Sequence, residues 1–325
     1  MTGVPATPTG TPRLSLVIPV YKNEAEIAAL IGSLGEIQSR LPGELEVVFV
    51  VDGSPDRSYE LLAHALPAMP FRSVLVELSR NFGAFAAVRQ GLLTASGDYF
   101  AIMAADLQEP PELVVSFFER LLSADADIVV GERVGRSDPR LTRLTSHLYW
   151  RIYRRLILAD MPAGGIDVFG CNKVVREALL SMRESHSSLV GFLIWSGYRR
   201  VAIPYVRRSR ELGESAWTFP KRVRYMLDSS FSFSDLPMRL LLTTGCAGLA
   251  LMLLASAIVF FGWLFGLIDV AGYTPLMLAV LDSGALIVFS LGIIASYVWR
   301  VYENTKERPL VLVRSVVRGG RDSGA

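Results

Sequence analysis

Leu14–Tyr21 reads LSLVIPVY and Glu46–Ser54 reads EVVFVVDGS, two continuous apolar runs that each stop at a polar cluster. A strand without polar alternation has both faces covered, as inside a parallel sheet. Between them, Asn23–Leu34 reads as a helix, which makes the unit strand–helix–strand. The pattern then repeats. A helix runs from Asp56 to about Leu66, and strands are expected at Ser73–Leu78, Tyr99–Ala105 and Ile128–Val130. Further helices are expected near Phe82–Thr94 and from Pro110-Pro111 onward. The fold class is therefore α/β, a Rossmann-like parallel sheet with helices on both faces.

In such sheets ligands bind outside the carboxyl ends of the strands. The clusters Tyr21–Glu24, Asp52–Ser54, Ser79–Asn81 and Asp106–Glu109 all fall at those ends. Position alone thus marks one edge of the sheet as the functional one. Asp52-Gly53-Ser54 offers a carboxylate for a base or ribose and a glycine for close backbone approach, although Asp-Gly is also an ordinary turn. Asp106-Leu107-Gln108-Glu109 offers hard oxygen ligands suited to Mg²⁺ or Mn²⁺ on a diphosphate, and Asp106 equally fits a cap on the helix after the prolines.

The chain has 325 residues, 51% of them hydrophobic and only 20% charged. That composition excludes disorder as the main theme and allows about two domains. A formal net charge of +2 argues against a nucleic-acid partner. Two cysteines, Cys171 and Cys246, give neither a disulfide framework nor metal spacing. Met1–Arg13 is Pro/Thr/Gly-rich without an apolar core and reads as a flexible lead rather than a signal peptide.

The apolar excess lies after Arg239. Leu240–Ile268 holds no charged residue over about 29 positions, long enough for a tilted membrane span, and Thr274–Trp299 is a second run interrupted only by Asp282. Lys221, Arg222, Arg224 and Arg239 precede the pair, and Arg300, Lys306, Arg308 and Arg314 follow it. The positive-inside rule then places both flanks in the cytoplasm. Asp138–Leu158 and Trp217–Phe233 read as basic amphipathic helices in the headgroup plane, against the plainer reading of solvated helices packed on the sheet. An intramembrane Asp282 fits packing against a partner helix, so a homo-oligomer is expected. The expected organisation is a lead over 1–13, a cytosolic catalytic domain over 14–216, an interfacial helix over 217–239, two spans over 240–299 and a basic tail over 300–325.

The motifs VIPVYKNE, VDGSPDRS, LSRNFG, ADLQEPPEL, GER and GESAWT, followed by two apolar spans, resemble the family 2 inverting glycosyltransferases. The resemblance is to the polyprenyl-phosphate branch, which includes the dolichol-phosphate mannose synthase type, and covers roughly Leu14 to Arg300. It implies a glycosyltransferase A-type domain and transfer from a nucleotide-sugar donor, by default a UDP-sugar, to a polyprenyl phosphate for later use in a cell-surface glycan. It implies that Pro19, Tyr21 and Glu24 border the nucleoside, that Asp52 binds the base, and that Arg80 and Asn81 line the donor site. Asp106 and Gln108 would hold Mg²⁺ or Mn²⁺. Arg133, with Arg136 and Ser137, would receive the acceptor phosphate, and Arg210, Glu214 and Ser215 would close over it. Asp167 is a candidate acceptor-side catalytic carboxylate and equally fits a loop cap.

The chain departs from the family pattern at Ala104, where an aspartate commonly stands, at Ala84 and Phe85 after Gly83, and at Ala216 after Gly-Glu-Ser. A phosphate acceptor is already an anionic nucleophile and has less need of a protein base than an alcohol. Two other readings compete: transfer to a hydroxyl of a lipid-linked glycan, with Asp167 as base, and a catalytically degenerate membrane scaffold. The expected location is a bacterial inner membrane.

Overall fold

The structure is a computed structural model that describes residues 11–134, 166–182, 189–208, 236–265, 272–306 and 309–320, with only part of the side chains along the two long C-terminal helices. Among the described residues, eight strands form one sheet: β1 (Arg13–Val20), β2 (Glu44–Val51), β3 (Arg72–Leu78), β4 (Tyr99–Ile102), β5 (Ile128–Arg133), β6 (Phe169–Asn172), β7 (Arg200–Tyr205) and β8 (Val313–Gly319). Their order across the sheet is β7-β5-β6-β4-β1-β2-β3-β8. The helices are α1 (Ile27–Arg40), α2 (Ser58–Ala65), α3 (Ala84–Thr94), α4 (Pro111–Leu122), α5 (Lys173–Ser181), α6 (Leu189–Trp195), α7 (Leu236–Leu264) and α8 (Tyr273–Thr305).

The lack of polar alternation in β1 and β2 has its cause in the packing. Leu16, Ile18, Val47 and Phe49 face one way, onto Leu30, Leu34 and Ile37 of α1 and Phe117 and Phe118 of α4. Val17, Val48 and Val50 face the other way, onto Ala87, Val88 and Leu92 of α3 and Leu179 of α5. Successive strand residues point to opposite faces, so two covered faces require an apolar residue at every position. Gly91 lets the backbone of α3 rest directly on the sheet, since a Cβ there would meet Val17 Cγ1 at 2.2 Å.

The parallel core β4-β1-β2-β3 agrees with the sequence reading. A wholly parallel sheet does not. β6 runs antiparallel between β4 and β5, β7 joins β5 in parallel, and β8 pairs antiparallel with β3. Phe169–Asn172 is only four residues long and contains Gly170, which gives no periodic signal. β8 is the larger surprise. Residues 313–319, read as part of a basic tail, instead complete the sheet next to β3, with Tyr59 Oη and Ser315 Oγ 3.0 Å apart and Arg314 paired to Glu77 at 3.0 Å. The strand expected over Tyr99–Ala105 ends at Ile102, because Met103 makes the last amide bond to β1, at Val17 O, before the chain turns.

α7 and α8 have 29 and 33 residues. Arg239 is the single charged residue of α7. Among the fully described residues, no helix is long and apolar enough to cross a membrane. The amphipathic segments expected at 138–158 and 217–233 lie outside the described residues.

Candidate active site

The loops that follow β1, β2 and β3 form one hydrogen-bonded platform. Asp56 is its hub: one carboxylate oxygen accepts from Ser54 Oγ (2.6 Å) and Ser58 N, the other from Glu24 N (3.0 Å). Ser54 Oγ in turn accepts from Lys22 N at 2.8 Å, with Lys22 held at φ 57°. These bonds favour the charged form and hold Asp56 below the usual carboxylate range, against a desolvation that pushes the other way. Glu24, expected to border the nucleoside, accepts from Arg57 N at 3.1 Å and thereby joins the first loop to the second. Pro19 is half-buried within β1 and opposite Val50, and Tyr21 is exposed at the strand exit. Neither Asp56 nor Ser58 stood out in the sequence, because an Asp-x-Ser turn is common and its tertiary partners leave no local trace.

Asp52 is buried at the end of β2. Expected to bind a base, it directs both carboxylate oxygens at backbone amides, Phe82 N at 2.7 Å and Gly83 N at 2.8 Å. Burial pushes its pKa up, while the two amides and the nearby Arg80 oppose that shift. Its structural effect is to shape the loop that presents Arg80 and Asn81. Arg80 lies over the Phe82 ring at 4.1 Å, and both it and Asn81 are exposed at the mouth. Gly53 makes the junction possible: at φ +55° a Cβ would sit 2.3 Å from the carbonyl carbon of Arg80.

The loop after β4 turns through Leu107 at φ 53°, an unusual conformation for a branched side chain and one that concentrates at functional loops. Gln108 N donates to Asp106 Oδ1 at 3.4 Å. The loop is strapped to the exit of β7, where Arg208 N donates to Gln108 O at 2.9 Å and Gln108 Nε2 donates to Arg208 O at 3.3 Å. Glu109 is buried, and desolvation, followed by the charge of Asp106, pushes its pKa up; Arg207 and the Ala104 and Glu109 amides oppose this.

On the far side of β4 lies a cluster of opposite charges. Arg133 pairs with Asp167, and Arg207 Nη1 approaches the same Asp167 oxygen at 3.9 Å. Tyr205 Oη donates to it at 3.5 Å. Burial and the charge of Glu109 raise the Tyr205 pKa, while Arg133 and Arg207 pull it down. Tyr205 and Arg207 are additions to the sequence-derived set. Their signal was a short strand followed by Arg207-Arg208, which reads from sequence as a solvated basic run. Arg136, Ser137, Arg210, Glu214 and Ser215 lie outside the described residues.

The donor set for a cation is Asp106 and the side-chain carbonyl of Gln108. No cluster of three or more His, Cys, Asp or Glu residues that could hold a metal occurs among the described residues. One carboxylate and one amide oxygen still fit Mg²⁺ or Mn²⁺, which take few protein ligands when phosphate oxygens complete the shell.

The chain was compared with known proteins. The glycosyl transferase family 2 pattern matches residues 15–182. The chain is 30% identical to an uncharacterized glycosyltransferase of Synechocystis sp. over 93% of this chain and 95% of that protein. It is equally 30% identical to the SfII prophage-derived bactoprenol glucosyl transferase of Shigella flexneri, covering 94% and 99% of the two chains. Among solved structures, glucosyl-3-phosphoglycerate synthase from Mycobacterium tuberculosis in complex with Mn²⁺, UDP and phosphoglyceric acid is 23% identical with a TM-score of 0.44, over 62% of this chain and 72% of that one. A pattern match over half the chain, with relatives that run its length, makes this polypeptide an enzyme belonging to glycosyl transferase family 2.

Proposed function

We propose that the enzyme moves a sugar from a UDP-sugar to a polyprenyl phosphate, with inversion at the anomeric carbon. The observation that carries this reading is the division of the sheet edge about Asp106. The platform of Tyr21, Asp52 and Arg80 follows β1, β2 and β3, and the arginine pair lies at the end of β5 and just after β7. With strands about 4.8 Å apart, β5 is roughly 10 Å from β4, which leaves space for a sugar between a donor diphosphate at Asp106 and an anion at Arg133. The relatives named bactoprenol glucosyl transferases support a polyprenyl-phosphate acceptor.

In this reading an acceptor phosphate oxygen attacks C1 of the sugar, the bond from C1 to the diphosphate breaks, and the nucleoside diphosphate leaves. No proton transfer is needed, so the chain's task is to hold two anions in line. Arg133 positions the acceptor, the Asp52-shaped loop positions the nucleoside, and Asp106 and Gln108 supply the metal ligands. A bound Mg²⁺ or Mn²⁺ supplies charge neutralisation on the leaving diphosphate. The retained Asp106 supports metal use despite Ala104.

We further propose that α7 and α8 cross the membrane. At 1.5 Å per residue they extend about 43 and 50 Å, more than a hydrocarbon core of about 30 Å requires. Pairing of β8 with β3 returns the chain to the sheet after both helices, in keeping with two crossings and a cytoplasmic catalytic domain.

The test is sugar transfer by the full-length protein in detergent. Undecaprenyl phosphate is offered with a panel of nucleotide sugars, with Mg²⁺ or Mn²⁺ and with chelator. Metal-dependent release of nucleoside diphosphate with a new lipid-linked sugar, abolished in Asp106→Ala, is the expected result. Transfer only to a hydroxyl acceptor overturns the reading.

A further inference from the structure

Asp167 gathers three donors onto a single carboxylate oxygen: Arg133 Nη2, Arg207 Nη1 at 3.9 Å and Tyr205 Oη at 3.5 Å. Only the first of these is close. Charge-assisted hydrogen bonds close to about 2.7–2.9 Å, so Arg207 is left at arm's length from this carboxylate. Arg207 Nε is moreover buried and has no hydrogen-bond partner among the described residues. A buried guanidinium nitrogen without an acceptor is uncommon in a settled structure and marks a place where an acceptor is supplied from outside. A phosphate monoester has three terminal oxygens where a carboxylate has two, and it carries more charge.

The surroundings fix the receptor in place. Arg208 is strapped to Gln108 through two hydrogen bonds, so the neighbouring Arg207 is held beside the metal-ligand loop. Asp167 is the most exposed member of the cluster, with its side chain 38% accessible against 14% for Arg133 and 31% for Arg207. It sits just before β6, so a rotation of its side chain alone vacates the two arginines.

We propose that Arg207 is the second arm of the acceptor-phosphate receptor, paired with Arg133, and that Asp167 is its resting occupant, displaced when the phosphate monoester arrives. The proposal rests on the polyprenyl-phosphate reading and adds to it a binding residue and a role for Asp167 other than proton abstraction. A carboxylate that faces two guanidiniums is a good stand-in for a phosphate anion. Charge at the site is then nearly conserved through the cycle, because the carboxylate leaves as the phosphate enters.

The experiment uses the full-length protein in detergent with the donor found active in the panel. Undecaprenyl phosphate is varied in steady state, and the binding of UDP with Mn²⁺ is measured separately by calorimetry. Arg207→Ala is expected to raise KM for the lipid about tenfold or more, with UDP affinity unchanged within about twofold. Arg207→Lys recovers part of the loss, since it restores the charge without the fork. Asp167→Asn removes the competing anion, so farnesyl phosphate, used as a soluble probe, binds several-fold more tightly and turnover persists. Should Arg207→Ala fail to fold, as judged by circular dichroism, the other two variants decide the matter.

An unchanged lipid KM in Arg207→Ala overturns the inference. So does a parallel loss of UDP affinity, which would assign Arg207 to the donor diphosphate. Loss of turnover in Asp167→Asn with unaltered probe binding would make Asp167 the base. Failure of the wild-type protein to glycosylate any polyprenyl phosphate defeats the function reading itself, an outcome distinct from all of these.

Discussion

Arg89 and Arg176 each close the end of the other's helix. From α3, the Arg89 guanidinium donates to the carbonyls of Leu179 and Leu180 at 2.6 and 2.7 Å, at the end of α5. From α5, Arg176 donates to Leu92, Leu93 and Ala95 at 2.9, 3.3 and 3.0 Å, at the end of α3. The last carbonyls of a helix lack partners within it, and cations are favoured there by the helix dipole. The pair clamps two helices onto the face of the sheet behind the donor loop.

Arg176→Ala is therefore expected to destabilise the catalytic domain by about 1.5–3 kcal/mol, the range for hydrogen bonds from a charged donor. Arg89→Ala falls in the same range. The double variant costs less than the sum, because either loss already loosens the shared contact. Urea unfolding of the three variants measures the coupling, and strict additivity would mean that the two caps act independently.

Gly53→Ala tests the junction between the second and third strand-end loops. A left-handed backbone at φ +55° costs an L-residue about 1–2 kcal/mol, and the added Cβ meets Arg80 backbone at 2.3 Å. The expected outcome is a melting temperature lower by several degrees and UDP binding weakened about tenfold, since the loop carrying Arg80 must move. Retained UDP affinity in a destabilised variant would separate this loop from the donor site.

Asp127 gives a prediction with a pH sign. It accepts both Nε and Nη2 of Arg199, and Asn172 Nδ2, joining the beginnings of β5 and β7 to the end of the antiparallel β6. Hydrogen bonding from Arg199 holds its pKa below the ordinary 3.8. A carboxylate with a depressed folded-state pKa contributes stability that is complete above its unfolded value and is lost as pH falls through the folded one. The melting temperature of Asp127→Asn should thus lie below that of the wild type at neutral pH. The gap should narrow as the pH drops below about 3.8. A gap that stays constant to low pH would mean that the shape of the contact, and not its charge, is what matters.

Gln108 serves the strap and, in the proposed reading, the metal. Gln108→Ala removes both, and Mn²⁺ affinity in the presence of UDP should fall by about 10- to 100-fold, the usual range for loss of a supporting group. Electron paramagnetic resonance titration of free Mn²⁺ measures it. Gln108→Glu keeps an oxygen ligand and loses the donor to Arg208 O, so it should recover metal binding better than the strap.

The half of the site on β1 to β4 was legible in the sequence because a buried parallel strand advertises itself and its polar stop marks the ligand edge. By that rule Asp52, Arg80, Asn81, Asp106 and Gln108 were expected at the strand ends, and the structure places them there. Arg133 came instead from the family resemblance, and the structure places it at the end of β5. Arg207 and Tyr205 escaped it because β7 is only partly buried along most of its length and is followed by a basic run, which resembles a solvated surface until the strand is seated beside β5. The orientation of Asp52 was not readable either. Nothing local to Asp-Gly-Ser states that its partners are the amides of residues thirty positions further on. β8 was missed for the same reason, since its partner β3 lies at the other end of the chain.

Ending the chain at residue 308 should expose the edge of β3. Six register pairs are lost, from Ser73↔Gly319 to Leu78↔Val313. An unpaired edge strand is a template for association, so the truncated protein should elute as large aggregates in size-exclusion chromatography, with transfer activity lost. A monodisperse and active truncation would show β8 to be dispensable.

The position of β8 also sets the order in which the molecule can be completed. Tyr59 and Ser315 meet across 256 residues of chain, so β3 waits through the synthesis of both long helices before its neighbour emerges. Closing so large a loop is slow and entropically costly unless the intervening chain is already anchored. If α7 and α8 first pair in the bilayer, they shorten that search by returning residues 313–319 to the side where the sheet is waiting. Maturation of a water-facing catalytic domain would then be timed by the membrane insertion of its own hairpin, and a chain that failed to insert would remain with its sheet unfinished.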